Sequence, residues 1–412
     1  MDGMRTRGQP VAVAAIRAML GSGLPHAILL TGPQGVGKTT LACDIAASLL
    51  CIAPDIESRP CRECRGCRTV DHGNHPDLHR LAPAGAGSVI AIGGRDVRGV
   101  RDLVANLAYL PVEGGQRVAI VEAAHRMTED AQTAFLKTLE EPPAWTTIVL
   151  CADEEERLLP TIRSRCVRIR LGPIGVRDLE IVLAEQGVAD PPTTARLARL
   201  AEGRPGLAIS YARAPGAVLL RGEIARTLLD LLGAGLTARL VGVRDLAARA
   251  AELVRALDAG AAEASAARPV RAGARGRSQA RGQGSETDGG TGSAAAAVAD
   301  LPDATAADTE PAPDEKGVRI PAAERRRGAL ALLEVWRSVV RDLGLVVTGD
   351  QAAVRDLDLV DDLQGPSARL DPVTVGAALR RLDVAAERLE GNVSPELVLD
   401  VLAIAWAPAA GR

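Results

Sequence analysis

The octapeptide Gly32-Pro33-Gln34-Gly35-Val36-Gly37-Lys38-Thr39, followed by Thr40, fits the pattern G-x-x-x-x-G-K-[ST]. It constrains the fold more than any other feature, because the motif works only between a strand and a helix. An apolar run over 27–30 precedes it and a helical pattern over 38–50 follows it. The glycines let backbone N–H groups curl around phosphates, and the helix presents its positive end to them. Lys38 then reaches the β- and γ-phosphates, and the Thr39 hydroxyl holds Mg²⁺. A parallel α/β sheet binding ATP or ADP with Mg²⁺ is therefore expected at the N-terminal end.

The surrounding pattern agrees. Strand-like runs at 27–30, 117–121 and 146–151 alternate with helical segments at 38–50, 98–109 and 128–140, as in a parallel sheet with helices on both faces. Beyond 173 the strand signal ends. Short amphipathic helices at 176–186, 193–202 and 206–212 predict a small helical module, and a longer helix is expected over 237–257.

Between 260 and 326 the chain turns to Ala, Gly, Arg, Ser, Asp, Thr and Pro. So few large apolar residues cannot offset the entropy of ordering, so a disordered tether is expected. Helical periodicity returns at 327–343 and 373–389, and Ser394 is expected to cap a last helix through 405. The domains are thus 1–172 (P-loop domain), 173–215 (helical lid), 216–259 with 327–412 (all-α collar), and 260–326 (linker inserted into the collar).

Charge narrows the partners. With 49 basic and 52 acidic side chains the net charge is -3, so no global basic field holds nucleic acid by counterion release. Six aromatics in 412 residues leave no stacking face for exposed bases. Residues 1–10 carry no apolar run of signal-peptide length, and no stretch of about 18 apolar residues occurs, so a cytoplasmic protein without membrane contact is expected.

Four of the seven cysteines, Cys51, Cys61, Cys64 and Cys67, are spaced C-x9-C-x2-C-x2-C, which can close a tetrahedral Cys₄ zinc site. Four thiolates leave no open position, so such zinc is structural. His72, His75 and His79 then remain loop residues, and Cys43, Cys151 and Cys166 read as small buried hydrophobes. Arg59, Arg62, Arg65 and Arg68 beside the cluster leave a local DNA-contact role open.

A hydrolytic P-loop enzyme needs an acid at a neighbouring strand end for Mg²⁺ and a second carboxylate for the attacking water. The strand over 117–121 ends in Glu122-Ala123-Ala124-His125. Glu122 supplies the first acid, but Ala123 cannot orient water, so weak or absent hydrolysis is expected. His125 reads as a packing or capping residue. Arg163 and Arg165, in Thr161-Ile162-Arg163-Ser164-Arg165-Cys166, are either a solvated face or a guanidinium for a phosphate on a neighbouring subunit.

In order along the chain stand the P-loop, the cysteine module, His75-Pro76-Asp77-Leu78, Pro111-Val112-Glu113-Gly114-Gly115, Leu136-Lys137-Thr138-Leu139-Glu140-Glu141-Pro142-Pro143 and Ser164-Arg165-Cys166. Together they resemble a clamp-loader subunit of bacterial DNA polymerase III, in the AAA+ superfamily. Asn392-Val393-Ser394-Pro395 ahead of the terminal helix resembles that family's collar. The motor (gamma/tau) type would require an Asp-Glu pair at Glu122-Ala123, a threonine sensor at Ala152-Asp153 and a lid arginine at Gly206, two positions past Arg204. Those departures, with Ser164-Arg165-Cys166 intact, resemble the stationary delta-prime type, whose arginine finger acts on an adjacent motor subunit. Lys38 and Thr39, often degraded in delta-prime, are retained. The resemblance implies a component of the replicative polymerase assembly, with motor and delta subunits, the sliding clamp and primer-template DNA as partners. A gamma/tau-type motor and an autonomous P-loop NTPase are the alternatives.

Overall fold

Five strands make one parallel sheet: β1 (Ala27–Thr31), β2 (Leu78–Leu81), β3 (Arg117–Val121), β4 (Thr146–Ala152) and β5 (Val167–Arg170). Their spatial order is β2-β3-β4-β1-β5. This is a computed structural model, and it describes residues 3–84, 89–94, 99–113, 115–187, 190–266, 322–391 and 393–406. Every residue of β1, β3 and β4 is buried, because parallel strands are covered on both faces. The two-residue alternation divides their side chains between two cores. Ile28, Leu30, Val118, Ile120 and Val149 pack with α1 (Pro10–Ser22) and α2 (Lys38–Leu49). Ala27, Leu29, Ala119, Val121 and Ile148 pack with α4 (Val100–Ala108) and α5 (Glu129–Glu140). Between these helices in sequence lies the short α3 (Arg65–Asp71), and α6 (Pro160–Arg163) precedes β5.

The rest is helical: α7 (Val176–Gln186), α8 (Pro191–Leu200), α9 (Pro205–Arg213), α10 (Pro215–Leu232), α11 (Leu236–Ala266), α12 (Ala322–Val347), α13 (Val360–Ser367), α14 (Pro372–Glu390) and α15 (Pro395–Ala405). One continuous apolar cluster runs from Ile174 to Trp406 through all of them. Within it Trp336 and Trp406 meet edge to face with ring centroids 4.6 Å apart, the arrangement favoured by ring quadrupoles. The same core holds Arg221, whose guanidinium donates to Asp356 and to Ser338 at 3.0 Å. No helix among the described residues is long and apolar enough to cross a membrane.

Several expectations need correction. Residues 260–266 and 322–326 are helical ends of α11 and α12. Alanine-rich sequence extends an existing helix readily, since propagation needs no core of its own; the remainder of the expected linker, 267–321, lies outside the described residues. Ser394 stands before α15 but makes no cap bond, its hydroxyl donating instead to Glu396 at 2.7 Å. His79 is not in a loop: it lies in β2, where its Nε2 meets the Arg117 guanidinium at 2.9 Å. β2 escaped notice because Leu-His-Arg-Leu is too short and polar to show a period.

Candidate functional site

The loop after β1 is held in a form only glycine tolerates. Gly32, Gly35 and Gly37 have φ of 136°, 81° and 104°, and a Cβ on Gly32 would lie 2.0 Å from the Leu171 carbonyl oxygen. These positive φ angles curl the backbone ahead of α2, which starts at Lys38; the cradle fits a phosphate chain. The start of α9 closes it from one side, where the Gly206 N–H donates to the Gly35 carbonyl at 2.9 Å. A side chain at Gly206 would press on Gly35, whose Cα is 3.2 Å from the Cβ position. Arg204 turns outward to Glu334 at 3.4 Å.

Lys38 is buried and its Nζ donates to the carbonyls of Gly32 at 2.6 Å and Pro33 at 2.7 Å. Its ion-pair partner is Asp153, at 2.6 Å. Glu122, the acid expected to position Mg²⁺, is held by Arg80 of β2 through Nε at 3.0 Å and Nη2 at 2.6 Å. Sheet order explains the exchange. β1 pairs directly with β4, and Thr31 stands opposite Ala152, so Gly32 and Asp153 leave the sheet side by side. Glu122 leaves β3, one strand farther away, and Val121 stands opposite Leu150, so Glu122 leaves two residues lower.

Ala123, at the expected second-acid position, is in the left-handed region with φ 48°, an uncommon conformation for a residue with a side chain. The turn it makes tucks His125 inward. The His125 Nδ1 accepts from the Asp153 N–H at 3.1 Å, and burial pushes its imidazole down to about 4, against the pull of the Asp153 carboxylate. A buried neutral ring serving as acceptor there packs against the end of β4; it caps no helix.

The four sulfurs of Cys51, Cys61, Cys64 and Cys67 all lie within 4.8 Å of one another. Cys51 Sγ is 3.6 Å from that of Cys61 and 3.9 Å from that of Cys64. Tetrahedral ligands about 2.3 Å from a zinc ion stand about 3.8 Å apart, so the set fits the metal. Backbone N–H groups of Cys64 and Cys67 point at the sulfurs of Cys61 and Cys64, at 3.4 and 3.3 Å. Between the ligands, Arg62 has φ 60° and its guanidinium bonds Asp44 of α2, Asp71 and the Gly3 carbonyl. Asp44 is fully buried and also accepts from the N–H groups of Arg5 and Thr6. Arg59 binds the Ala53 carbonyl and Arg65 pairs with Glu113, so three of the four arginines beside the cysteines have partners within the chain.

Asp77, also fully buried, explains why two of the quoted motifs belong together. Its carboxylate accepts from the N–H groups of Val112 at 2.6 Å and Glu113 at 2.8 Å. Asp77→Ala strands both donors and is expected to cost about 2–3 kcal/mol, read as a lower urea midpoint at unchanged slope; an unchanged midpoint would refute this account of the loop.

Arg165 lies past α6, a third exposed. Its Nη2 pairs with Glu140 of α5 at 2.6 Å and its Nη1 donates to the Thr161 carbonyl at 2.8 Å. The adjacent Cys166 thiol is pushed up to about 11 by burial alone, so it is no nucleophile. The sites of Lys38, the cysteines and Arg165 are thus separate, and Asp153 is the residue whose position sequence reading did not foresee.

The family model matches the N-terminal part. Residues 8–175 match the family described as DNA polymerase III, delta subunit. The DNA polymerase III subunit delta' of Pseudomonas aeruginosa is 43% identical over 143 residues, 35% of this chain and 42% of that protein. Subunit delta' of Escherichia coli is 35% identical over 185 residues, 45% of this chain and 54% of its own length. Subunit tau of Escherichia coli is 34% identical over 202 residues, 48% of this chain and 30% of tau. The matches span about half or less of these relatives. Over this part, the resemblance to delta-prime clamp-loader subunits and their gamma/tau relatives read from the motifs is borne out.

Proposed function

We propose that this chain is the delta-prime-type subunit of a bacterial DNA polymerase III clamp loader, an AAA+ assembly that places the sliding clamp on primed DNA. It works beside gamma/tau motor subunits and a delta subunit. The observation that carries the reading is a partly exposed Arg165 on a chain that has Ala123 after Glu122, where a water-orienting carboxylate is expected. The likeness to delta' proteins supports it; the retained Lys38 and Thr39 are what a motor would also keep.

In this role the residues 32–40 hold nucleotide, and Mg²⁺ neutralises its phosphate charge when bound. The chain supplies the curled backbone and the Lys38 ammonium. Glu122 is tied to Arg80, and Ala123 has no carboxylate with which to orient water. Cys51, Cys61, Cys64 and Cys67 hold a structural zinc that pins the loop after α2. Arg165 presents its planar fork to phosphates bound by an adjacent motor subunit, where such a cation offsets transition-state charge.

The isolated chain is expected to hydrolyse ATP about 10²- to 10⁴-fold more slowly than a motor subunit, the span that a positioned base contributes. It is also expected to co-purify with motor and delta subunits. A steady-state ATPase assay and gel filtration of the mixed subunits test both, and motor-like turnover by the lone chain or failure to join the assembly would overturn the reading.

A further inference from the structure

The geometry points to Asp153 as the residue that selects the phosphate ligand of the P-loop: its carboxylate occupies the lysine a nucleotide needs, and it favours a nucleoside diphosphate over a triphosphate. The inference rests on reading residues 32–40 as a nucleotide cradle. Four observations carry it. Asp153 Oδ1 stands 2.6 Å from Lys38 Nζ, the distance of a charge-assisted hydrogen bond. The Lys38 side chain is 7% exposed and that of Asp153 27%, so the ammonium end of the pair is shielded from water while the carboxylate end is partly screened. The position is fixed from two sides, by β-sheet register, with Thr31 opposite Ala152, and by the Asp153 N–H donating to His125 Nδ1. With Nδ1 accepting, that ring keeps its proton on Nε2, which faces Asp153 Oδ2 at 3.8 Å, so it brings no competing positive charge to the carboxylate.

The charge count then decides the ligand. Lys38 brings one positive charge and Asp153 cancels it; Arg204, the guanidinium nearest the start of α9, is engaged by Glu334. A phosphate oxygen reaches Lys38 only by displacing the carboxylate. Each further phosphate adds negative charge beside a displaced anion that its backbone tether keeps close, and Arg157, a guanidinium whose charge reaches His125, is itself paired with Glu154. A diphosphate meets less of this repulsion than a triphosphate.

Fluorescent mant-ADP and mant-ATP titrated into the full chain, with Mg²⁺ and with EDTA, test this. The wild type is expected to bind the diphosphate about tenfold more tightly than the triphosphate, and Asp153→Asn to tighten the triphosphate by about tenfold and narrow that preference. Asp153→Ser, which also removes the charge, should behave alike, and thermal melts check that both variants fold. Unchanged or weaker triphosphate binding in both variants overturns the proposal. So does a loss confined to the Mg²⁺ arm, which would make Asp153 a metal-binding group, and so does absence of binding by every variant. Co-purification with motor subunits is scored separately, so failure of the clamp-loader reading is distinguishable from failure of this one.

Discussion

Replacing Arg165 with alanine is expected to lower DNA-stimulated ATP turnover of a reconstituted clamp loader by about 10³- to 10⁵-fold, the span associated with an arginine finger, while leaving the loader assembled. The side chain is partly exposed and lies outside the buried clusters, so its loss removes no core contact. Its present partner, Glu140, is itself about half exposed. Such surface pairs contribute about 0–1 kcal/mol, so a neighbouring subunit's phosphates can draw the guanidinium away at little cost. Arg165→Lys should fail nearly as badly, because a point charge cannot reproduce the two-pronged donation of a guanidinium. Gel filtration reports assembly and a coupled assay with clamp and primed DNA reports turnover. Full turnover in an intact Arg165→Ala assembly would remove Arg165 from the reaction.

Cys64→Ser is expected to release one zinc ion per chain and to lower the melting temperature by about 10 °C or more, the consequence of several kcal/mol lost from a domain of this size. The effect reaches beyond the metal. Cys64 caps α3 through the Cys67 N–H, and Arg62, between the ligands, neutralises Asp44 on the P-loop helix. Burial already pushes the Asp44 carboxyl up, with Arg62 the main opposing influence. A loosened cysteine loop therefore leaves a buried carboxylate without its cation, a severe loss when one partner of an enclosed pair departs. Elemental analysis and calorimetry make the check; metal-free protein with an unshifted melt would end the zinc assignment.

How far the sequence could be read depended on how local each signal was. The P-loop, three of the five strands and most of the helices, α5, α7 and α14 among them, were legible because apolar period and glycine spacing are local. The cysteine cluster was legible because three ligands fall within seven residues. β2 was not, since four mixed residues carry no period. The same limit applied to the capping of α15: Ser394 occupies the right place, but its hydroxyl is turned to donate to Glu396 and its oxygen accepts from no backbone N–H of the helix.

The amino-acid sequence alone determined that a strand, a glycine loop and a helix follow one another, that four thiols at ligand spacing come behind them, and that an alanine, Ala123, follows Glu122. Only the tertiary structure decided which acid meets Lys38. That choice follows from β4 lying beside β1 with β3 one place farther out, a pairing between segments more than a hundred residues apart. Local pattern records how a segment folds; it holds no trace of which neighbour hydrogen bonding and burial will give it.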